Sequence, residues 1–518
     1  MRRYWNNAIV LCLGLALAFA PASTSPAVAA GPADKPIFKA GFAERDISPA
    51  IGMENPGGYG KAYHQSFHDP CKARAAVFDD GKTRVAIVGV DAIGIRRHTV
   101  QAVREAIHKK CGIEPGSILI AASHTHSGGP IGSYRPGEFD DASPLVRSLV
   151  NDYTIVENPE YAAKVEKGIV EAVCAADAAR VDARGGAGYG REDRVAFNRR
   201  FRMRDGFTMT HPGQGNPSIV QPAGPTDPQV GVVGAWKEDG AFLGCIVNFA
   251  CHATTGPGGI SADYIYYIEK AIRGVMGEQA VVVFLAGTAG DVTQVDNRSP
   301  QQIKQFGEVA ARFVGGRVGA EAVKALLAME QGAGPLVPLG VARKELKVSR
   351  RPPSKEHVAK ALEIVKQDPK KTDHTAWTFA KETVLLDAKI AREPVAAFEV
   401  QAVQVGPVAL LASPAEYFCD FGLQLKAKCG FPVTFPVSLA NDSIGYVPTE
   451  EALSPRGGGY ETRLTSYSNL EPAGGQKIAD ALVELSRTLK PGRLPQPPAL
   501  PPFRGQPWSY GNLPPQLD

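Results

Sequence analysis

The sequence predicts an α/β fold: a mixed, largely parallel sheet or sheets covered by helices, with the site at the carboxyl ends of the strands. Three observations carry that expectation. Residues 84–122 run as apolar strand, amphipathic helix, apolar strand, and residues 244–286 do the same. The strands are continuously apolar instead of alternating, which requires cover on both faces of the sheet.

In the first unit, RVAIVGVD (84–91) is a β-branched run. Residues 98–110 place Val100, Val103 and Ile107 at helical spacing, with Lys109 and Lys110 in the last turn and Gly112 just past it. SILIAA (117–122) is the returning strand. The second unit comprises GCIVNFA (244–250), a helix from Tyr264 to Met276, and AVVVFLA (280–286). Asn158-Pro159 opens a further helix whose stripe is Val165, Ile169 and Val173. From Lys344 to about Glu393 charge is denser; one amphipathic helix starts near Ser354 (Val358, Leu362, Val365) and ends at Asp368-Pro369, and the stretch reads as an inserted or peripheral element. Strands resume in FEVQAVQVGPVALLASP (398–414), and from Pro491 a proline-crowded tail runs to residue 518.

Composition narrows the function classes. With 44% hydrophobic and 21% charged residues the chain is globular, and its net charge of +4 has no dense Lys/Arg run interleaved with aromatics, which sets nucleic acid aside. Arg2 and Arg3 precede an uncharged run from Ala8 to Ala20 and then Ala27-Val28-Ala29-Ala30, the pattern of a secretory signal peptide over residues 1–30. That run is too short to span a bilayer, and the expected location is secreted or periplasmic. Cys12 leaves with the signal. Of the seven remaining cysteines, Cys419 and Cys429 are a candidate bridge, and Cys245 and Cys251 read as small buried hydrophobes.

Four apolar runs stop at residues with metal or proton chemistry: SHTHSGG, NFACHATT, LAGTAGDVTQVDN and LLASPAEYF. Ligands of α/β sheets sit at strand carboxyl ends, so endings spread from residue 123 to 417 can share one pocket. His124 and His126, at i and i+2 of an extended segment, share a face. Imidazole binds metals and titrates near neutrality, and His124, His252 and Glu416 form a His/His/carboxylate set of the kind that holds catalytic zinc. The plainer readings are a hydrogen-bonded structural His252, a helix-capping Glu416 and an Asp291 that caps the following segment. Ser127 adjoins His126 but points to the opposite face, and no HExxH, GxSxG, Walker or dinucleotide motif occurs.

The blocks GFAERDISP (41–49), GYG (58–60), SHTHSGGP, FNRRF, NFACHATT, ISADY, GTAGDV, SPAEYF and IGYVPTEEA, in this order, make residues 37–490 resemble the catalytic domain of the neutral ceramidase family. The resemblance implies a zinc-dependent amidase that splits a fatty acid from a sphingoid base. It implies His124, His252, Glu416 and Tyr446 as zinc ligands, His126 as acid/base, Arg199 as the oxyanion contact and Tyr460 as a further polar contact. Thr293 stands where the family carries a serine, and its hydroxyl would bond the water or substrate. The implied partner is a lipid amide, reached by transient contact with a membrane surface. The family's C-terminal β-sandwich has no counterpart in the Pro-rich residues 491–518. Two other functions share these motifs: hydrolysis of a non-lipid amide or ester, and non-catalytic binding. A long apolar groove beside His124 favours lipid, and a short polar pocket favours the non-lipid substrate.

Overall fold

The computed structural model describes residues 36–511 and 513–517, so the signal-peptide reading and Cys12 lie outside the described residues. Strand pairing sorts the chain into three sheet arms. The first comprises Lys39–Asp46, Lys72–Asp79, Arg84–Val90 and Ile118–Ala122, and the second Val181–Arg191, Gln229–Lys237, Phe242–Phe249 and Val281–Ala286. They join into one eight-stranded sheet through only two residue pairs, Lys39 with Asp182 and Ala40 with Val181. The third arm is a separate sheet of Leu339–Ser349, Val395–Val405, Val408–Ala412 and Val433–Val437.

The inner faces of all three arms meet in one apolar cluster. It contains Phe78, Ile87 and Leu119 from the first, Val233, Ile246 and Val283 from the second, and Val403, Leu410 and Phe435 from the third. Each outer face carries its own helices. Arg97–Cys111 and Pro159–Ala178 cover the first arm, Tyr264–Met276 and Glu308–Glu330 the second, and Cys419–Lys428 and Gly474–Arg487 the third. A strand covered on both sides has no polar face, which is why ILIAA, VVVFLA and VALLA are buried at every position.

The sheets are mixed, but parallel pairing is less extensive than expected. Within the three arms it is confined to Arg84–Val90 with Ile118–Ala122, Phe242–Phe249 with Val281–Ala286, and Val408–Ala412 with Val433–Val437. Each of these pairs is joined through a helix, as parallel neighbours require, whereas tight links such as Gly406-Pro407 join antiparallel neighbours. The capping residues act as their types predict: the Asn158 side chain accepts from the Tyr161 amide with Pro159 next to it, and Gly112 ends its helix at φ 67°.

The charged stretch is built more deeply into the fold than its composition suggests. Leu339–Ser349 pairs along its whole length with Val395–Val405, and beyond the expected helix, Lys355–Val365, runs another, His374–Arg392. The second helix buries Trp377, Val384 and Leu385 with Leu149 and Val150 of Pro144–Tyr153. Its stripe is hard to see because Lys381 and Glu382 are also buried on it.

The cysteine expectation is corrected. Cys111 and Cys174 form a disulfide, with Cα atoms 5.9 Å apart, that ties together the two outer helices of the first arm. Cys419 and Cys429 are free and buried. Cys419 is the first residue of a ten-residue helix and Cys429 follows its last, so the helical rise separates them by about 15 Å, beyond disulfide reach. Cys245 and Cys251 are buried thiols, as expected. In the tail, Leu494 packs against the central cluster while Leu500 and Phe503 are exposed. Among the described residues no helix is long and apolar enough to cross a membrane.

Candidate metal centre and active site

The carboxyl ends of one strand from each arm point to the same place. Ile118–Ala122 leads to His124 and His126, Phe242–Phe249 to His252, and Val408–Ala412 to Glu416. His124 and His252 lie with ring centroids 4.7 Å apart, and His124 and His126 4.9 Å apart. The two neighbours do not meet by extended alternation: the strand stops at Ala122, and His124 takes φ 65°, a left-handed turn rarely adopted by residues other than glycine. The turn is held by the His124 amide donating to the Ala92 carbonyl at 3.0 Å.

Hydrogen bonds fix the tautomers. Nδ1 of His124 lies 2.8 Å from the Ile93 carbonyl and Nδ1 of His252 2.6 Å from that of Ala289; a carbonyl can only accept, so both Nδ1 atoms carry the proton. The lone pairs of Nε2 therefore face inward, 3.2 Å and 3.4 Å from Oε2 of Glu416. Nε2 of His124, Nε2 of His126 and Oε2 of Glu416 are all buried without a hydrogen-bond partner. The three imidazoles offer nitrogens within 4.8 Å of one another, a group that can hold a metal ion.

Burial favours neutral imidazoles. It lowers His252, with help from the Arg199 charge, to about 4, and together with the neighbouring His124 pushes His126 well below its ordinary value. Burial opposes the charged form of Glu416, and a proton on Nε2 of His124 or His252 would outweigh it and hold the carboxyl well below its ordinary value.

Glu416 and Tyr446 face each other across a short parallel pair, Ala415–Tyr417 with Gly445–Val447. Tyr446 Oη lies 3.4 Å from His252 Nε2 and accepts from Arg199 Nη2 at 3.0 Å. Arg199 is anchored by Nε to Glu461 at 2.6 Å and by Nη2 to the Gly290 carbonyl at 2.9 Å, which leaves Nη1 without a protein acceptor among the described residues. Tyr460 Oη lies 3.5 Å from Tyr446 Oη. Thr293 stands back from this group: its hydroxyl bonds Gln294 at 2.7 Å and lies 3.4 Å from Thr254, and Thr254 is the one that lines the cavity. Asp291 accepts from the Asn198 side chain and from the amide of Cys419, so it caps the Cys419–Lys428 helix.

His124, His126, His252, Glu416, Arg199, Tyr446, Tyr460 and Thr254 open onto a cavity of about 1070 Å³. Solved structures share this fold. A neutral ceramidase from Pseudomonas aeruginosa matches with TM-score 0.65 and 18% identity over 89% of this chain and 77% of its own. The fold is that of a neutral ceramidase. A ceramidase complexed with C2 matches similarly, with TM-score 0.63 and 18% identity over 90% and 77%. No family model and no curated protein matches the sequence.

On this ceramidase fold several contributors escape the sequence patterns. Glu461, which fixes Arg199, sits in a three-residue turn with no periodicity. Tyr59, Tyr467 and Phe379 extend the aromatic wall begun by Tyr446 and Tyr460, with Tyr59 6.0 Å from Tyr460 and 5.9 Å from Phe379. Only Tyr59 has a local signal, the GYG it belongs to.

Proposed function

We propose that the chain is a zinc-dependent hydrolase that cuts the amide C–N bond of an N-acyl amine of the ceramide type, releasing a fatty acid and an amine. The observation that carries the reading is the trio of buried, partnerless electron-pair donors on His124, His126 and Glu416. Such atoms are costly to desolvate unless something electron-poor takes their lone pairs. Nitrogen and carboxylate donors are what zinc selects, and His124, His252 and Glu416 would hold it with Tyr446 alongside. When bound, zinc supplies Lewis acidity and a water acidified to a pKa of about 7.

The chain's own groups account for the rest. His126, neutral at pH 7, takes a proton from the attacking water and delivers it to the departing nitrogen. Arg199 donates through Nη1 to the acyl oxygen as charge gathers there, a role typically worth ~3 kcal/mol. Glu461 and Gly290 keep its guanidinium aimed. Tyr446 and Tyr460, side by side, add hydroxyls near the same atom. Thr293 acts on Thr254 through Gln294, whose Oε1 accepts from both hydroxyls.

We place this activity in one domain over residues 37–490 of a secreted or periplasmic protein, on the signal-peptide pattern of residues 1–30. The test is hydrolysis of ceramide and simple N-acyl amines by purified protein. Turnover lost to a chelator and restored by zinc is expected, and zinc-loaded protein that cuts no acyl amide would end the proposal. A second reading, a more polar amide than ceramide, is favoured by the cavity wall, where Arg96, Glu138, Lys381, Glu382 and Lys389 all appear.

A further inference from the structure

The wall of the cavity away from the imidazoles is charged, and its charges do not balance. Arg96 pairs with Glu138 at 2.5 Å, Lys381 with Glu382 at 3.3 Å, and Arg199 with Glu461 at 2.6 Å. That accounts for both carboxylates of the far wall. Two cations that line the cavity are left over. Lys389 Nζ reaches only the Ser466 carbonyl, at 3.3 Å, and no carboxylate among the described residues lies within ion-pair distance of it. The exposed Arg463 sets its guanidinium carbon 3.3 Å from the Phe379 ring centroid, and its side chain makes no hydrogen bond or ion pair among the described residues.

Lys389 is half-buried and feels Glu393 and Glu138 only from beyond ion-pair distance, so its ammonium is incompletely compensated. Desolvation, with Arg350 and Arg96 adding like charge, lowers the Lys389 amine to about 8. Ring contacts run in a chain along the cavity lining, leading away from His252: Tyr446 to Tyr460 at 5.4 Å, Tyr460 to Tyr59, Tyr59 to Phe379, and Phe379 to Arg463. A flat or extended apolar segment fits along such a wall, and its far end meets positive charge.

We propose that the cavity takes an amide whose end remote from the imidazoles carries an anionic group, a carboxylate or sulfate, received by Lys389 and Arg463. The proposal rests on the hydrolase reading only for the bond that is cut. It replaces an all-hydrocarbon substrate by an amphiphilic one with charge at its tip.

The test compares matched amides on zinc-loaded protein. Octanoyl-β-alanine is set against its neutral carboxamide, and the monobutylamide of octanedioic acid against its own carboxamide. The first pair puts the charge on the amine side and the second on the acyl side. At least one pair should show kcat/KM about 10-fold or more in favour of the acid, mostly through KM, as a charge-assisted bond in a sheltered site gives. Lys389→Met and Arg463→Gln should each shrink that ratio, and Lys389→Arg should restore it. Ratios near one in both pairs, with the neutral amides still cut, would overturn the anion site and leave the hydrolase standing.

Binding supplies a readout that needs no turnover. Octanedioate should bind about 10-fold more tightly than octanoate, and the difference should vanish in Lys389→Met. If no amide is cut but that preference is present, the hydrolase reading fails and the anion site holds. Equal binding of the two acids to unaltered protein overturns the anion site.

Discussion

At the scale of single residues, the three imidazoles share a place but not a role. His124 and His252 each have Nδ1 tied to a backbone carbonyl and Nε2 directed at Glu416, the arrangement of oriented ligands. The His126 ring has no such tether to a backbone carbonyl among the described residues, and its Nε2 is buried without a partner. His124→Ala and His252→Ala should therefore abolish both zinc retention and turnover. His126→Ala should keep the metal and lose about 10²- to 10⁴-fold in kcat. Metal analysis beside an amidase assay separates them, and a His124→Ala protein that retains full zinc removes that ligand. His124, His252 and Glu416 could be read in the sequence because each follows the abrupt end of an apolar run. Glu461 and Tyr467 could not, because nothing in a loop's composition records which distant loop it will meet. Thr293 shows the opposite case: a motif singles it out, while its hydroxyl bonds Gln294 and its neighbour Thr254 lines the cavity.

At the scale of elements, the arms are fastened to their helices by buried charge as well as by apolar contact. Glu269, on Tyr264–Met276 over the second arm, bonds Arg74 and Lys72 on a first-arm strand, at 2.8 Å and 2.6 Å, and Arg273 one turn on. Burial alone would raise its carboxyl, but Arg74 and Lys72 outweigh it and hold it at about 2, against 4.5 when free. The unfolded chain therefore takes up this proton first as pH falls. The stability Glu269 contributes is complete above about 4.5 and is lost on acidification toward 2. Glu269→Gln, which leaves Arg74 buried and short of a partner, should cost about 3–5 kcal/mol at pH 7 by denaturant unfolding. The deficit should shrink as both proteins are taken below pH 4; one that stays constant would assign Glu269 no role beyond packing. Gly445 is a second element-level constraint. It has φ 82°, and a Cβ there would lie 2.0 Å from the Tyr467 carbonyl, so Gly445→Ala should displace Tyr446 and lower both stability and turnover. The strand–helix–strand units were legible because periodicity changes cleanly from continuous to helical. His374–Arg392 was not, because its buried face carries Lys381 and Glu382 for the cavity, and the demands of the site erase the apolar stripe.

At the scale of the whole molecule, the site exists only where three sheet arms meet. Each arm has its own outer core, but the inner faces share one cluster, and the candidate metal donors are drawn from all three. An ion bound to them would cross-link arms that otherwise touch through apolar contacts, ion pairs such as Arg74 with Glu269 and Arg104 with Glu399, and a two-residue strand pairing. Binding to the folded state alone stabilises by RT ln(1 + [L]/Kd), about 4 kcal/mol with zinc at a thousand times its Kd. Zinc should therefore raise the denaturant midpoint of the whole chain, not that of one arm, and His252→Ala should abolish the increment. Leu326→Ala, in the outer core of the second arm, provides the contrast. It should lower the midpoint by about 2–5 kcal/mol through lost packing and leave the zinc increment intact, because its cavity opens on the side away from the donors. A zinc increment that survives His252→Ala would place the ion elsewhere, and one confined to part of the unfolding transition would mean that the arms do not depend on a common centre.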